Sequence, residues 1–149
     1  MLRLSKTKAN SMNIILLASA VAQAHFTLVS PLGIEEAQTL DLGKITNSVS
    51  LYCQLDASQR QGDGCVNSDS QLAKFYFSGA ANSQIKVVLQ PMSNSDFTFT
   101  PLLPNGGQTQ TFTLIQGPLE VAIGGRLDVK AGASEGEQEI SYTIEVNYI

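Results

Sequence analysis

The chain has no tryptophan, one histidine and two cysteines in 149 residues, and each shortage removes a class of chemistry. Without tryptophan it lacks the large aromatic platform that carbohydrate-active sites usually exploit. His25 is the only imidazole available as a base for a serine nucleophile, and no Gly-x-Ser-x-Gly elbow presents such a serine. Two cysteines fall short of the four ligands of a structural zinc site. Cys53 and Cys65 also stand too far apart in sequence for a C-x-x-C redox pair. Glycine motifs that cradle phosphate are missing. Carboxylates are plentiful, but Glu35 and Glu36 are adjacent, and Glu135, Glu137 and Glu139 lie in or beside one polar stretch. Nothing in that spacing sets an acid and a base across a cleft. Asp56, Asp63 and Asp69 do not follow the order of a calcium-binding EF-hand. The inventory points away from an enzyme and calls for no cofactor.

Long apolar runs are scarce as well. Met12 to Val21 (MNIILLASAV) is interrupted by Asn13 and Ser19 and is too short for a bilayer, which takes about 20 apolar residues. Its surroundings give it another meaning. Arg3, Lys6 and Lys8 precede it, and Ala22-Gln23-Ala24 places small residues where a signal peptidase reads them. Basic, apolar and small in that order reads as a secretory signal peptide over residues 1–24, removed from the mature protein. No cysteine follows the small residues, so a lipid anchor is not expected. The protein is expected to be exported, to the periplasm, the cell surface or the exterior, without stable membrane insertion.

Residues 25–149 then form one domain, large enough to bury about two-thirds of its unfolded surface. The leader takes three of the nine basic residues and none of the thirteen acidic ones, which leaves six against thirteen. Such a balance argues against a nucleic-acid partner, which needs a basic face, and against docking on anionic lipid. Cys53 and Cys65, an even pair in an exported chain, read as a disulfide around the polar loop QLDASQRQGDG. Cleavage after Ala24 would make His25 the first residue. An N-terminal histidine chelates copper through its amine and ring, but copper oxygenases on β-sandwiches pair it with a second histidine, which this chain lacks. No metal site is expected, and a copper-handling protein using His25 stands only as a remote alternative.

What is present is β pattern. From Glu139 to Tyr148 every even position is apolar and every odd one polar, the period of a strand with one buried face. Phe26 and Leu28, Ile85, Val87 and Leu89, Phe97 and Phe99, and Phe112 and Leu114 alternate likewise. Leu40, Leu42 and Ile45 mark a strand interrupted at Gly43, and Val49–Cys53 and Lys74–Phe77 are short β-prone runs. Leu119 to Ile123 and Leu127 to Val129 read as two strands, with Gly124-Gly125 among the turn signals and Pro101 ending the run of Phe97 and Phe99. Residues 132–138 (GASEGEQ) read as a polar loop. Many short strands at this spacing predict a two-sheet Greek-key sandwich rather than a closed barrel.

Four stretches carry a resemblance. Thr39-Leu40-Asp41-Leu42-Gly43-Lys44-Ile45 is similar to an L-D-F-G-x-I signature. Phe77-Ser78-Gly79 with Gln84 to Leu89 is similar to a paired strand region. Ile123-Gly124-Gly125-Arg126-Leu127-Asp128-Val129 is similar to a v-G-G-t-L-x-V turn, and Tyr142 to Tyr148 to a y-t-V-x-V-n-Y close. In this order they resemble the small exported bacterial domains of family 4402, a family of unknown function. Leu42 replaces the usual Phe, Gly136 to Ile140 stand where a G-x-Y-s-G motif is expected, and the cysteine loop is an elaboration. The family's layout is similar to fimbrial and spore-coat-U-like pilin subunits of Gram-negative bacteria, immunoglobulin-like sandwiches completed by a neighbour's strand. That resemblance implies a fimbrial or surface-assembly subunit. A periplasmic chaperone, an usher and like subunits would be its partners. The chaperone or a donor strand would pair along Ile140, Tyr142, Ile144, Val146 and Tyr148. The donor arm would be the short one holding Phe26 and Leu28. In the alternative, the domain is complete by itself and binds a partner or ligand, with Phe26 and Leu28 in its own edge strand.

Overall fold

The computed structural model describes residues 17–149. The basic residues of the leader and the first half of its apolar run, residues 12–16, lie outside that range. Every regular element described is a strand: β1 (Gly33–Gln38), β2 (Lys44–Ile45), β3 (Tyr52–Leu55), β4 (Arg60–Gln61), β5 (Cys65–Val66), β6 (Ala73–Ser78), β7 (Gln84–Gln90), β8 (Met92–Ser93), β9 (Phe97–Leu102), β10 (Thr109–Thr113), β11 (Leu119–Val129) and β12 (Thr143–Tyr148).

Alternation sets the faces. In β6, Ala73, Phe75 and Phe77 are buried while Lys74 and Ser78 are exposed; in β7, Ile85, Val87 and Leu89 are buried while Gln84, Lys86 and Gln90 are exposed. The large sheet runs β1-β6-β11-β9-β8, with β3 on β11 and β4 on β3, and the second sheet runs β10-β7-β12. The core joins them: Phe77, Val121 and Ile123 from the first sheet meet Ile85, Val87 and Leu89 from the second, with Phe112, Ile144 and Val146 packed alongside. Removing these faces from water is the main favourable term of folding. β2 and β5 form a separate two-stranded ribbon, tied to the large sheet by the Cys53–Cys65 disulfide from β3 to β5.

Three elements differ from the sequence reading. Gly124-Gly125 is not a turn. It lies inside one strand of eleven residues, at the point where β11 changes partner. Leu119–Ile123 pair with β6, and Gly124–Val129 pair with β9, and from Gly125 also with β3. A Cβ on Gly124 would meet the Leu55 carbonyl, and one on Gly125 the Phe99 ring. The glycines therefore permit close approach rather than reversal. Pro101 likewise does not end β9, which continues to Leu102. The Lys130 amide bonds to the Asp96 carbonyl, so even residues of β9 face β11. The donor that Pro101 lacks therefore falls on the opposite side, beyond the end of β8. Finally, β1 (GIEEAQ) has four exposed residues in succession and shows no apolar period. Its backbone pairing with β6 makes it a strand.

Candidate functional site

The C-terminal strand β12 hydrogen-bonds to β7 alone and is a sheet edge. Its phase follows from the Ile149 amide, which donates to the Gln84 carbonyl, in register with Tyr148↔Ile85 and Glu145↔Val88. In an antiparallel pair such bonded residues alternate with unbonded ones. Thr143, Glu145 and Asn147 therefore bond to β7, and the amides and carbonyls of Ile144, Val146 and Tyr148 point to the open edge. The side chains of these three pack against the core. One set of residues thus supplies both an unpaired backbone row and an apolar face.

The alternation read from Glu139 onward exceeds the strand, which starts at Thr143. The physical reason lies on the partner. Thr143 pairs with Gln90, the last residue of β7, and Pro91 follows before the chain turns into β8. Ile140 and Tyr142 keep a strand-like pattern with no ladder to join. Beside them opens a cleft of about 2040 Å³. Phe97, Phe99, Leu127 and Val129 line its apolar part, and Leu40 to Thr46 and Ala133 to Tyr142 form further walls. Drug-sized ligands occupy pockets of roughly 300–1,000 Å³ that enclose them; this opening is larger and is a groove.

Two tyrosines mark the ends of the edge. The ring of Tyr142 packs on Phe99 at 5.4 Å between centroids, and its hydroxyl is buried without a hydrogen-bond partner. Burial, and secondarily the Glu36 carboxylate, push its pKa up to about 12. The Tyr148 hydroxyl donates to the Ser30 carbonyl at 2.6 Å and accepts from the Ala80 amide at 2.8 Å. It pins the root of the N-terminal arm to the edge strand and the β6–β7 turn. Before that pin the arm is irregular. Phe26 and Leu28 are 80% and 85% exposed and join no strand, so the expected edge strand of the self-complete alternative is absent in this region.

The other sequence candidates are dispersed. His25 is exposed on the arm, and Glu35 and Glu36 are exposed on β1. Asp56 closes its own turn. Its carboxylate accepts from the Ser58 hydroxyl and amide, the Gln54 side chain and the Gln59 amide, which together lower its pKa to about 2. Among the described residues no three His, Cys, Asp or Glu side chains gather as a metal site. No helix among them is long and apolar enough to cross a membrane. One structural residue escaped the sequence reading. The Arg60 guanidinium donates to the carbonyls of Leu42, Lys44 and Val66 at 2.6–2.9 Å, and so binds the β2–β5 ribbon to β4. An arginine in a polar loop carries no local signal of this.

The family model described as Domain of unknown function (DUF4402) matches residues 32–148. The chain belongs to the DUF4402 family. The match begins at Leu32, after Tyr148 has pinned Ser30, and runs through the whole of β1 to β12. The open edge and the cleft are therefore parts of the DUF4402 domain, and the arm with Phe26 and Leu28 precedes it. No curated protein and no solved structure matches the sequence.

Proposed function

We propose that this DUF4402 protein is a non-enzymatic, exported β-sandwich of the immunoglobulin-like Greek-key type, and a fimbrial or surface-assembly subunit completed by a strand from another chain. The observation that carries the reading is the free edge of β12. The amides of Ile144, Val146 and Tyr148 point outward, and at Ile144 this edge meets a cleft with an apolar part, the combination that β-strand addition uses for affinity and specificity. An unprotected edge of this kind invites association. Residues 140–142, patterned as a strand without a ladder, extend the surface an incoming strand would cover. The disulfide and the leader-like start fit export to an oxidising compartment, with cleavage placed after Ala24. A periplasmic chaperone during export and a like subunit in the assembly would be the successive partners. Phe26 and Leu28, exposed on an arm rooted beside the edge, would be the residues a subunit offers to its neighbour.

The test is Val146→Pro. The Val146 amide faces the open edge, so proline removes a donor that the incoming strand needs and spares the ladder to β7. The variant is expected to fold and to accumulate as an unassembled protein, checked by circular dichroism and by co-purification with envelope partners. Assembly at the wild-type level would refute strand addition at this edge.

A second reading, a self-complete secreted binding domain, draws on the closure already achieved. Phe77, Ile85, Val87 and Ile123 are fully buried without any partner strand. Sedimentation of the processed chain separates the two. A soluble monomer that never associates in the presence of envelope extract supports self-completeness.

A further inference from the structure

We propose that residues 139–142 are an unzipped continuation of β12, which becomes strand when a strand long enough to span Ile140 to Tyr148 adds from another chain. The inference rests on the strand-addition reading and adds the length of the occupant and the change it makes in the receiver. Burial alternates without a break from Ile140 to Tyr148, even residues half-buried and odd ones exposed. The ladder to β7 covers only Thr143 to Tyr148 of that stretch. Side chains are therefore already placed as in a strand where the backbone is unpaired. Among the described residues, no backbone–backbone hydrogen bond involves residues 131–142. The polar tie of this segment is the Asn47 side-chain amide, which donates to the Ala133 carbonyl at 3.4 Å. Its anchors are apolar: Ile140 and Tyr142 line the cleft, and the Tyr142 ring rests on Phe99. Gly132 and Gly136 hold φ at 86° and 114°, and an added Cβ at either would meet open space. The link from β11 can therefore change course without dislodging packed neighbours.

Strand phase says how the gap closes. Even residues of β12 turn their amides and carbonyls to the open edge, and odd ones turn theirs to β7. Continued backwards, that phase points Ile140 and Tyr142 outward, and Glu139 and Ser141 towards β7, which has ended at Gln90. β7 cannot pair this stretch. An incoming strand can, because the groups it needs lie on its own side. Without it both edges lack partners, and packed apolar anchors do not satisfy backbone groups. An added strand bonds at Ile140, Tyr142, Ile144, Val146 and Tyr148, five residues where β12 as it stands offers three. Ordering residues 139–142 offsets part of the gain, but Ile140 and Tyr142 are packed in advance, which lowers that cost. Under the export reading the chain's own arm, His25 to Val29, has five residues. An arm of that length spans Ile144 to Tyr148 and leaves the extension unpaired, whereas a longer strand engages both.

The experiment uses the processed chain, purified from an oxidising compartment and labelled with nitrogen-15, and alternating Val/Thr peptides of nine and five residues. Amide hydrogen exchange is followed by NMR in the free protein and with each peptide, and affinity by fluorescence anisotropy. Both peptides are expected to slow exchange at Ile144, Val146 and Tyr148. Only the nine-residue peptide should also slow Ile140 and Tyr142, by about tenfold or more, while Glu139 and Ser141 stay fast. It should bind about tenfold tighter than the shorter one, the scale of a few hydrogen bonds net of those lost to water. Ile140→Pro removes an outward donor and should weaken the nine-residue peptide but not the five-residue one. Ser141→Pro removes a donor that has no partner and should weaken neither. Protection at Ile144, Val146 and Tyr148 without protection at Ile140 and Tyr142 overturns the extension and leaves strand addition standing. Equal slowing at Ser141 and its even neighbours overturns it too, as general burial rather than pairing. Slow exchange at Ile140 and Tyr142 in the free protein does the same, since the stretch would then be paired already. No protection by either peptide removes the strand-addition reading and this inference together.

Discussion

Tyr142 and Tyr148 share one alternating stretch and one inward direction, yet their hydroxyls meet opposite conditions. Tyr148 has two partners, the Ser30 carbonyl and the Ala80 amide. Tyr148→Phe strands both and is expected to cost about 1–3 kcal/mol. Urea unfolding measures the loss, and faster proteolysis of the freed arm before Ser30 accompanies it. Tyr142 has a buried hydroxyl and no partner, so Tyr142→Phe is expected to be neutral or to stabilise by up to about 1 kcal/mol. The sign of its pH effect follows from the raised pKa. The folded state holds the phenol proton more tightly than the unfolded state. Its contribution is complete below pH 10, the ordinary tyrosine value, and is lost as pH rises towards about 12. The Phe variant should lack that alkaline part of the decline in thermal midpoint. At this scale the sequence reading named both tyrosines for their parity. It could not separate their roles, because a hydroxyl's partners here come from residues as distant in sequence as Ser30 and Ala80.

Elements were legible where side chains alternate about a buried face, as in β6, β7 and β12, and illegible where backbone pairing alone makes the strand. β1 is the plain case. Its residues bury no face, and its pairing with β6 across about 40 residues leaves no local trace. In β11 the error ran the other way. Gly124-Gly125 carries the composition of a turn, and only the approach of the Leu55 carbonyl and the Phe99 ring shows why glycine is needed in mid-strand. Gly124→Ala pushes a methyl group into that carbonyl and is expected to destabilise by about 1–3 kcal/mol or more, seen as a lower melting midpoint with unchanged β content. Strand phase yields a sharper contrast. Glu145→Pro removes a donor directed at β7 and should unfold or frustrate the second sheet. Val146→Pro, one residue away, should leave it intact. Equal damage from both would mean the phase of β12 is assigned wrongly.

For the molecule as a whole, the disulfide joins the buried Cys53 of the large sheet to Cys65 of the small ribbon, with a sequence separation of 12. Closing a loop of that size stabilises by roughly 3 kcal/mol in the chain-entropy model. Cys53→Ser/Cys65→Ser is expected to lower the thermal midpoint by several degrees, as would reduction. It should retain an all-β circular dichroism spectrum, since the inter-sheet core does not include the ribbon. An unchanged midpoint would show that Arg60 and the ribbon's own bonds suffice.

The amino-acid sequence by itself determined the β character, the inward and outward residues of the clearest strands, the cysteine pair and the acidic balance, because each depends on residue type and short-range period. Only the tertiary structure decided that β12 is an edge, that its strand stops where Pro91 ends the partner, that β11 passes through its glycines and that Phe97, Phe99, Leu127 and Val129 share one cleft with residues 133–142. Those features depend on which backbone lies beside which, and pairing between segments far apart in the chain leaves no pattern in either one alone.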